Sequence, residues 1–533
     1  MQNATLLTST APFLNPSGKL DGFDPRHWIA FVGMGVGGAS CFRSMLKKAT
    51  ADRITGQIGF ICLDMKPISQ QGRGVAWAPD QAPFILANMH LPKMSNDPEN
   101  PHALLEALGV DGDNLSQDAA FFKRSEIGEA FSKDLDLFVE VARHAGVPVV
   151  RLQGEAARLD RLGQGFAITL SGGGQLFANT VVLALGHVPS TNFKHLDGSP
   201  KYIGNPWDFE SLKAIPADAQ GVCVLGLGPT AVDTINILRH QNGVKQIHAY
   251  SRSGCMQYPR PRYHRHELKV LTREAIKEMA AEHGGLTWKD ILRGISREFK
   301  VARIDCSGMT RAFENARLHP KRAIPLGLAD CHEDSEWFSV LKAFDDVTPL
   351  IWHLLPPGER EVYKRDYRQA HTNVSYGSAS KVAKDILDWL DDGSLTVAGG
   401  LGEVHFAEGL FHVKRRSKDF GEEVLIHLGF EYLVNCSGIG TGLSKARYPL
   451  LGYLLRKGWL TPMAEGGAMV DFHSGQLLTP DGKPVGEVYS LAGSITYGTH
   501  LLTHCLDQVV GSAIRTADAI HEKLMEAVAP ERV

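Results

Sequence analysis

Short apolar runs that enter a glycine cluster and continue into a helical period recur along this chain. WIAFV, Trp28 to Val32, leads into Gly33, and Ala39 to Ala49 then follows a 3.6-residue period with Lys47 and Lys48 near its carboxyl end, predicting strand, turn and helix. IGFICLD is apolar almost throughout up to Asp64, as expected of a strand covered on both faces of a parallel sheet. Residues 70 to 101 break the pattern. They are rich in glycine, proline and asparagine, hold no period, and predict a long irregular excursion over a site. A helix is expected over Phe121 to Ala145, then strands in VPVVRLQG, GFAITLSGG and GQLFANTVVLALG, the last ending at Gly186.

From Gly221 a second strand, turn and helix appear in GVCVLGLGPTAVDTINILRH, and the next strand, KQIHAYSRSG, ends at Ser251 and Arg252. Helical periodicity dominates 263–390, interrupted by HGGLT and LLPPGER, with Thr287 to Asp290 spaced as a capping box. Strands resume in SLTVAGG, GEVHFAEG, LFHVKRR and EVLIHLG, and EYLVNCSGIGTG repeats the strand-to-glycine ending seen at Gly186. VYSLAGSITYG and a helix from about Thr499 to Ala527 close the chain.

This alternation predicts an α/β fold with two Rossmann-like dinucleotide-binding domains, one inserted in the other. The expected division is an arm over 1–27, a first domain over 28–217 and 396–533, and a second over 218–395 that carries the helical insertion 263–390. At 533 residues, 43% of them hydrophobic, more than one core is required. A net charge of −3 supplies no global positive field for nucleic acid or anionic membrane, which leaves a small-molecule substrate as the expected partner. Eight scattered cysteines without a CxxC fit a reducing compartment and count against a disulfide reductase. No apolar run of about 18 residues and no leader-like amino terminus occur, so a cytoplasmic protein is expected; homo-oligomerisation is left open.

In the first turn Gly33, Gly35 and Gly38 permit a tight bend, close approach of a pyrophosphate, and close packing of helix on strand. The helix amino terminus adds N–H donors and a positive dipole, and Asp64 at the tip of the next strand can accept ribose hydroxyls. The second turn, Gly226, Gly228 and Ala231, leads to Ser251 and Arg252 rather than to an acid. That pair suits a 2′-phosphate and so NADPH, although Arg252 as a solvated surface charge stays open. Two such turns in one chain suit a flavoprotein that takes hydride from a nicotinamide, with FAD at the first and NADPH at the second. Arg73, between two glycines, faces either phosphate or solvent. Asn88 is either a turn residue satisfying local backbone or an uncharged amide beside a flavin edge. The basic run at Arg260, Arg262, His264, Arg265 and His266 reads equally as a solvated loop or added charge for an anion. No metal-ligand spacing or nucleophile elbow is present.

VGMGVGG, the segment GRGVAWAPDQAPFILANMHLPKMSNDPENP, GLGPTAVD with SRSG, and DDVTPLIWHLLPPGEREVYKRDYRQAH together resemble the NADPH-dependent flavin monooxygenases, in particular bacterial FAD/NAD(P)-binding proteins of the amine- and amino-acid-N-hydroxylating kind. The resemblance spans about Trp28 to Ala513. It implies that Asn88 lies beside the reactive flavin edge as catalytic residue, and that Gly186 and Gly493 border FAD; Gly493 lies in Ala-Gly-Ser where many flavoproteins carry Gly-Asp. It further implies hydride transfer from NADPH to FAD, reaction with O₂, and delivery of one oxygen atom from a flavin hydroperoxide to an amino acid or small polar amine. An NADPH-dependent flavoprotein reductase or dehydrogenase without oxygen insertion is the alternative, and a catalytically silent NADPH-binding regulatory module is a third reading.

Overall fold

The computed structural model describes residues 13–14, 26–112, 115–116, 119–332, 335–417, 424–443 and 448–528. Nearly all of the expected arm, 1–27, lies outside them. Two parallel sheets organise the rest. The first takes β1 (His27–Val32), then helix α1 (Val36–Ala51), β2 (Ile58–Asp64), helix α2 (Arg124–His144), β3 (Val149–Gln153) and β4 (Thr180–Leu183). The second takes β5 (Val222–Leu225), helix α3 (Pro229–Asn236), β6 (Ile247–Tyr250), β7 (Leu395–Ala398) and β8 (Tyr432–Asn435). The chain then returns to the first sheet as β9 (Pro484–Ser490) and covers it with helix α4 (Leu506–Val528).

The first sheet runs Gln476–Leu478, β9, β4, β1, β2, β3, with only the Gln476–Leu478 pairing antiparallel. One face packs α1 and α4 through Phe31, Phe42 and Phe60, Phe42 meeting Phe60 edge to face at 5.1 Å. The second sheet runs Tyr202–Ile203, β8, β5, β6, β7, all parallel. Its membership departs from the expected division. Leu401–Ala407, Leu410–Ser417 and Val424–Phe430 form a three-stranded antiparallel sheet that lays Phe411, Val413 and Phe430 on Cys223, Leu225 and Tyr250, and β8 sits between Tyr202–Ile203 and β5. By sheet pairing, therefore, the second unit extends through β8 rather than stopping at 395. The strand patterns were legible, but which sheet a strand joins depends on pairing partners hundreds of residues away.

The helical insertion packs an apolar core around Phe299, Phe338, Trp352 and Tyr363 that continues into Phe472, Tyr497, Leu501 and Leu502 of the first unit. Thr287 and Asp290 make the expected capping box at the start of Trp288–Ala302. The insertion is fastened to the first unit: the Trp352 indole N–H donates to Gly498 O at 2.8 Å, Arg368 to the Tyr497 hydroxyl at 2.9 Å, and Gln508 to Asp345 O at 2.9 Å. The closing helix starts at Leu506 rather than Thr499, because Leu501 takes positive φ (60°) after a separate turn at Tyr497–His500.

The irregular excursion is ordered by ion pairs. Arg43 of α1, almost fully buried, meets Asp134 of α2 at 3.1 Å, and Asn96 donates to the same carboxylate at 2.8 Å. Lys47 holds Asp97 at 2.9 Å, so the MSND portion of the loop is anchored to two helices. Arg43→Ala would leave the Asp134 carboxylate without its cation. It is expected to destabilise the fold by about 3 kcal/mol, read as a lower urea midpoint; an unchanged midpoint would show that the pair adds nothing.

Candidate functional site

Both glycine turns have the same geometry. Gly33 adopts φ 104° and its N–H donates to Leu63 O at 2.8 Å; Gly226 adopts φ 111° and donates to Tyr250 O at 2.8 Å. A Cβ on Gly33 would lie 2.2 Å from Ala184 O, and one on Gly226 would lie 2.2 Å from Cys436 O. Only glycine tolerates both the dihedral and the contact. Gly38 packs against Gly33 O at the same distance from its would-be Cβ, bringing α1 down onto the sheet, while the buried Ala231 plays that part for α3. Gly35 and Gly228 precede α1 and α3, whose first turns carry no acid, so both amino termini keep their positive field. A Cβ on Gly228 would meet nothing within 4 Å, leaving room at that helix end for a phosphate.

At the first turn, Asp64 accepts from Met34 N at 2.6 Å and from Lys66 N at 2.8 Å, one bond to each oxygen. A carboxylate has about four acceptor sites, so those left can still take ribose hydroxyls. The Gly72–Arg73–Gly74 turn lies against it: Gly72 N donates to Met34 O at 2.6 Å, and a Cβ on Gly35 would sit 3.2 Å from Gly74 Cα. Arg73 Nε has no hydrogen-bond partner among the described residues. Gly186 and Gly493 end neighbouring strands and touch, a Cβ on Gly493 falling 2.3 Å from Gly186 O. Gly33, Gly35, Gly38, Asp64, Arg73, Gly186 and Gly493 thus gather at one end of the first sheet, where an acceptor carboxylate, an unsatisfied guanidinium N–H and a helix amino terminus suit a dinucleotide.

At the second turn Ser251 and Arg252 follow β6. The Ser251 hydroxyl accepts from Gly254 N at 2.9 Å, which shapes the loop. Arg252 is exposed and its side chain bonds no described residue, so its charge is free for a ligand. The basic run divides: Arg260 is buried and donates to Ser375 O at 2.8 Å, a structural role the sequence left open.

Between the turns lies the 70–101 loop. Ala78, Ala82 and Ile85 enter the core of the second unit beside Ala231 and Val232, whereas Ala87, Leu91 and Met94 pack with Val36 of α1 and Leu506 of α4. The change-over falls at Leu86; Asn88 lies two residues beyond it, half-buried, and its side-chain amide makes no hydrogen bond to a described residue. His90 stacks near Phe121 and Tyr263, at 4.5 and 5.4 Å, and burial lowers its imidazole to about 3, so it is neutral.

Several side chains that the sequence did not single out converge beyond Gly186. His187 reaches Thr503 at 3.3 Å and faces His504, whose ring also lies 4.6 Å from Tyr376 of the insertion. His504 and Asp507 carry accessible surface yet are enclosed by protein, which places them on the wall of a recess. Burial lowers His504 to about 4 and raises Asp507 to about 6, Asp345 and Asp346 adding to the latter while Lys342 and Arg260 oppose it. Lys342 and Asp345 form a buried ion pair, and the Tyr376 hydroxyl finds no oxygen or nitrogen partner among the described residues. Among the described residues no group of three or more His, Cys, Asp or Glu is arranged to hold a metal. No described helix is long and apolar enough to cross a membrane.

Residues 30–188 match the family profile described as FAD-NAD(P)-binding. No curated protein sequence matches the chain. Its fold is similar to that of ornithine hydroxylase from Pseudomonas aeruginosa, at 13% identity over 93% of this chain and 99% of that one, with a TM-score of 0.56. L-lysine 6-monooxygenase from Pseudomonas syringae aligns at 14% identity over 94% and 100%, with a TM-score of 0.59. Ornithine N-hydroxylase of Kutzneria sp. 744, with reduced FAD, NADP⁺ and L-ornithine, aligns at 15% over 94% and 100%, with a TM-score of 0.53. The chain therefore has the α/β fold of flavoenzymes with two dinucleotide-binding domains, and its first unit is an FAD/NAD(P)-binding domain.

A carboxyl raised in the folded state favours folding most below its unfolded value and loses that contribution as pH rises through its folded value. For Asp507 the window runs from the ordinary aspartate range up to about 6. Asp507→Asn cannot ionise, so it is expected to raise the calorimetric unfolding temperature at about pH 7.5 and leave it nearly unchanged at about pH 4. An equal shift at both would remove Asp507 from the enclosed recess.

Proposed function

We propose that this protein is an NADPH-consuming, FAD-dependent monooxygenase that N-hydroxylates an amino acid or small polar amine. The observation that carries the reading is Asn88: an amide without a hydrogen bond to any described residue, held on the loop that packs against both units. FAD is assigned to Gly33, Gly35, Gly38, Asp64, Arg73, Gly186 and Gly493, and NADPH to Gly226, Gly228, Ser251 and Arg252. When bound, the two cofactors carry an electron pair from nicotinamide through flavin to O₂, so that RNH₂, O₂, NADPH and H⁺ give RNHOH, H₂O and NADP⁺.

The protein's own work is binding, orientation and exclusion of water. Asn88 presents a donor and an acceptor at the meeting point of the two units, where it can hold the carboxamide of the nicotinamide or the oxygen being transferred. The helical insertion closes over the end of the first sheet through its bonds to Gly498, Tyr497 and Gln508, walling off solvent. His504 and His187, both kept neutral by burial, add no cation that would repel an ammonium. Asp507 and Asp346, whose carboxyls burial pushes up, border the same recess and gain a counter-charge when an ammonium enters it. The eight cysteines are all free, and all but Cys306 are buried, so no thiol pair offers a competing electron outlet.

With purified protein, NADPH, O₂ and a panel of amino acids and amines, hydroxylamine formed per NADPH is expected to approach one for the correct amine. Asn88→Ala should keep flavin reduction within about twofold but lower that ratio by about fivefold, releasing hydrogen peroxide instead. NADPH consumption without hydroxylamine from any amine would point to the reductase. Arg252→Ala is expected to raise the apparent KM for NADPH about tenfold and leave that for NADH unchanged; equal effects on both would deny Arg252 the 2′-phosphate.

A further inference from the structure

Helix α2 starts with a side chain that touches both units. Arg124, 8% exposed, places Nη2 2.9 Å from Asp233 Oδ2 on α3, while its Nε donates to Leu86 O at 3.1 Å. Its backbone N–H donates to Ile85 O at 3.0 Å, Lys123 bridges Leu86, and Ala87 N donates to Phe122 O at 2.8 Å. The backbone leading into Asn88 is therefore held from one side by the start of α2, and one guanidinium ties that backbone to the helix of the second turn. Asp233 is the acid of GLGPTAVD, just over one turn beyond Gly228, and its side chain is largely but not fully buried: burial pushes its carboxyl up and Arg124 draws it back. A largely buried carboxylate paired to a single guanidinium at 2.9 Å is costly to separate from it.

We propose that Arg124 is a positioning residue that sets Asn88 through the Leu86 carbonyl and links that setting to occupancy of the second dinucleotide turn. The inference rests on the functional reading above, in that it takes the second turn to bind NADP(H). A dinucleotide at Gly226 and Gly228 caps α3 and restrains it. Asp233 passes that restraint to the guanidinium, and the guanidinium passes it to the strand-like stretch 85–87. By linkage, whatever steadies Asn88 then also strengthens dinucleotide binding by the same factor.

Two variants separate the parts of the device. Arg124→Lys keeps a cation for Asp233 but has no Nε for Leu86; Asp233→Asn keeps the shape of α3 but removes the charge. Hydrogen exchange of the Ala87 and Leu91 amides, which bond Phe122 O and Ala120 O, is followed with and without NADP⁺, alongside calorimetric NADP⁺ titration of the flavin-loaded protein. In the wild type NADP⁺ is expected to slow exchange at both amides about tenfold. In Arg124→Lys NADP⁺ should still bind with that protection lost, and hydroxylamine per NADPH should fall without a change in the rate of flavin reduction. Asp233→Asn should lose protection and bind NADP⁺ more weakly. Full protection in either variant, or none in a wild type that binds NADP⁺, overturns the inference. A wild type that binds no NADP⁺ overturns the functional reading beneath it.

Discussion

Everything else in this molecule depends on how closely the backbone at the end of a parallel strand approaches its neighbour. At Gly33 and at Gly226 a single hydrogen in place of a side chain lets the chain turn with its N–H bonded to one adjacent strand and its Cα against the carbonyl of the other. That turn points the amino terminus of α1 or α3 at the carboxyl end of its sheet, the position from which a helix dipole can act on phosphate. Ala184 and Cys436 complete the symmetry by donating back to Val32 and Leu225, each at 2.8 Å.

Two equivalent turns do not by themselves make an electron path. The intervening chain is divided between the two units: Ala78, Ala82 and Ile85 are buried in one and Ala87, Leu91 and Met94 in the other, so Asn88 follows directly on the change-over at Leu86. The loop has no period of its own and gains order from Asp134, Asp97, Asn96 and Arg124, polar groups that are directional and are expensive to leave unpaired when buried. An irregular segment fixed this way is rigid where it is anchored and presents an amide where it is not.

The helical insertion has the complementary task. Its apolar core is shared with Phe472, Tyr497, Leu501 and Leu502 of the first unit, and its hydrogen bonds to that unit fall on Tyr497, Gly498 and Gln508, before and at the start of α4. The recess this creates is lined by His504, Asp507, Tyr376 and the Lys342–Asp345 pair, and loss of solvent is the first cause that shifts His504, Asp507 and Tyr376.

Local physics accounts for what the amino-acid sequence determined unaided. Strand runs, helical periods, the capping box at Thr287 and the two glycine turns depend on residues within a few positions of one another, so the strand, turn and helix around Gly33 and around Gly226 could be read from the sequence. Tertiary structure decided what distant pairing controls. It put β8 into the second sheet and packed the separate three-stranded antiparallel sheet against it, buried Arg260 as a structural cation, and occupied the Ser251 hydroxyl with Gly254. It also brought Arg124 to Asp233 and His187 to His504. No one-dimensional pattern marks such partners, because the free energy that selects them comes from burial and hydrogen bonding between segments brought together only once both sheets have formed.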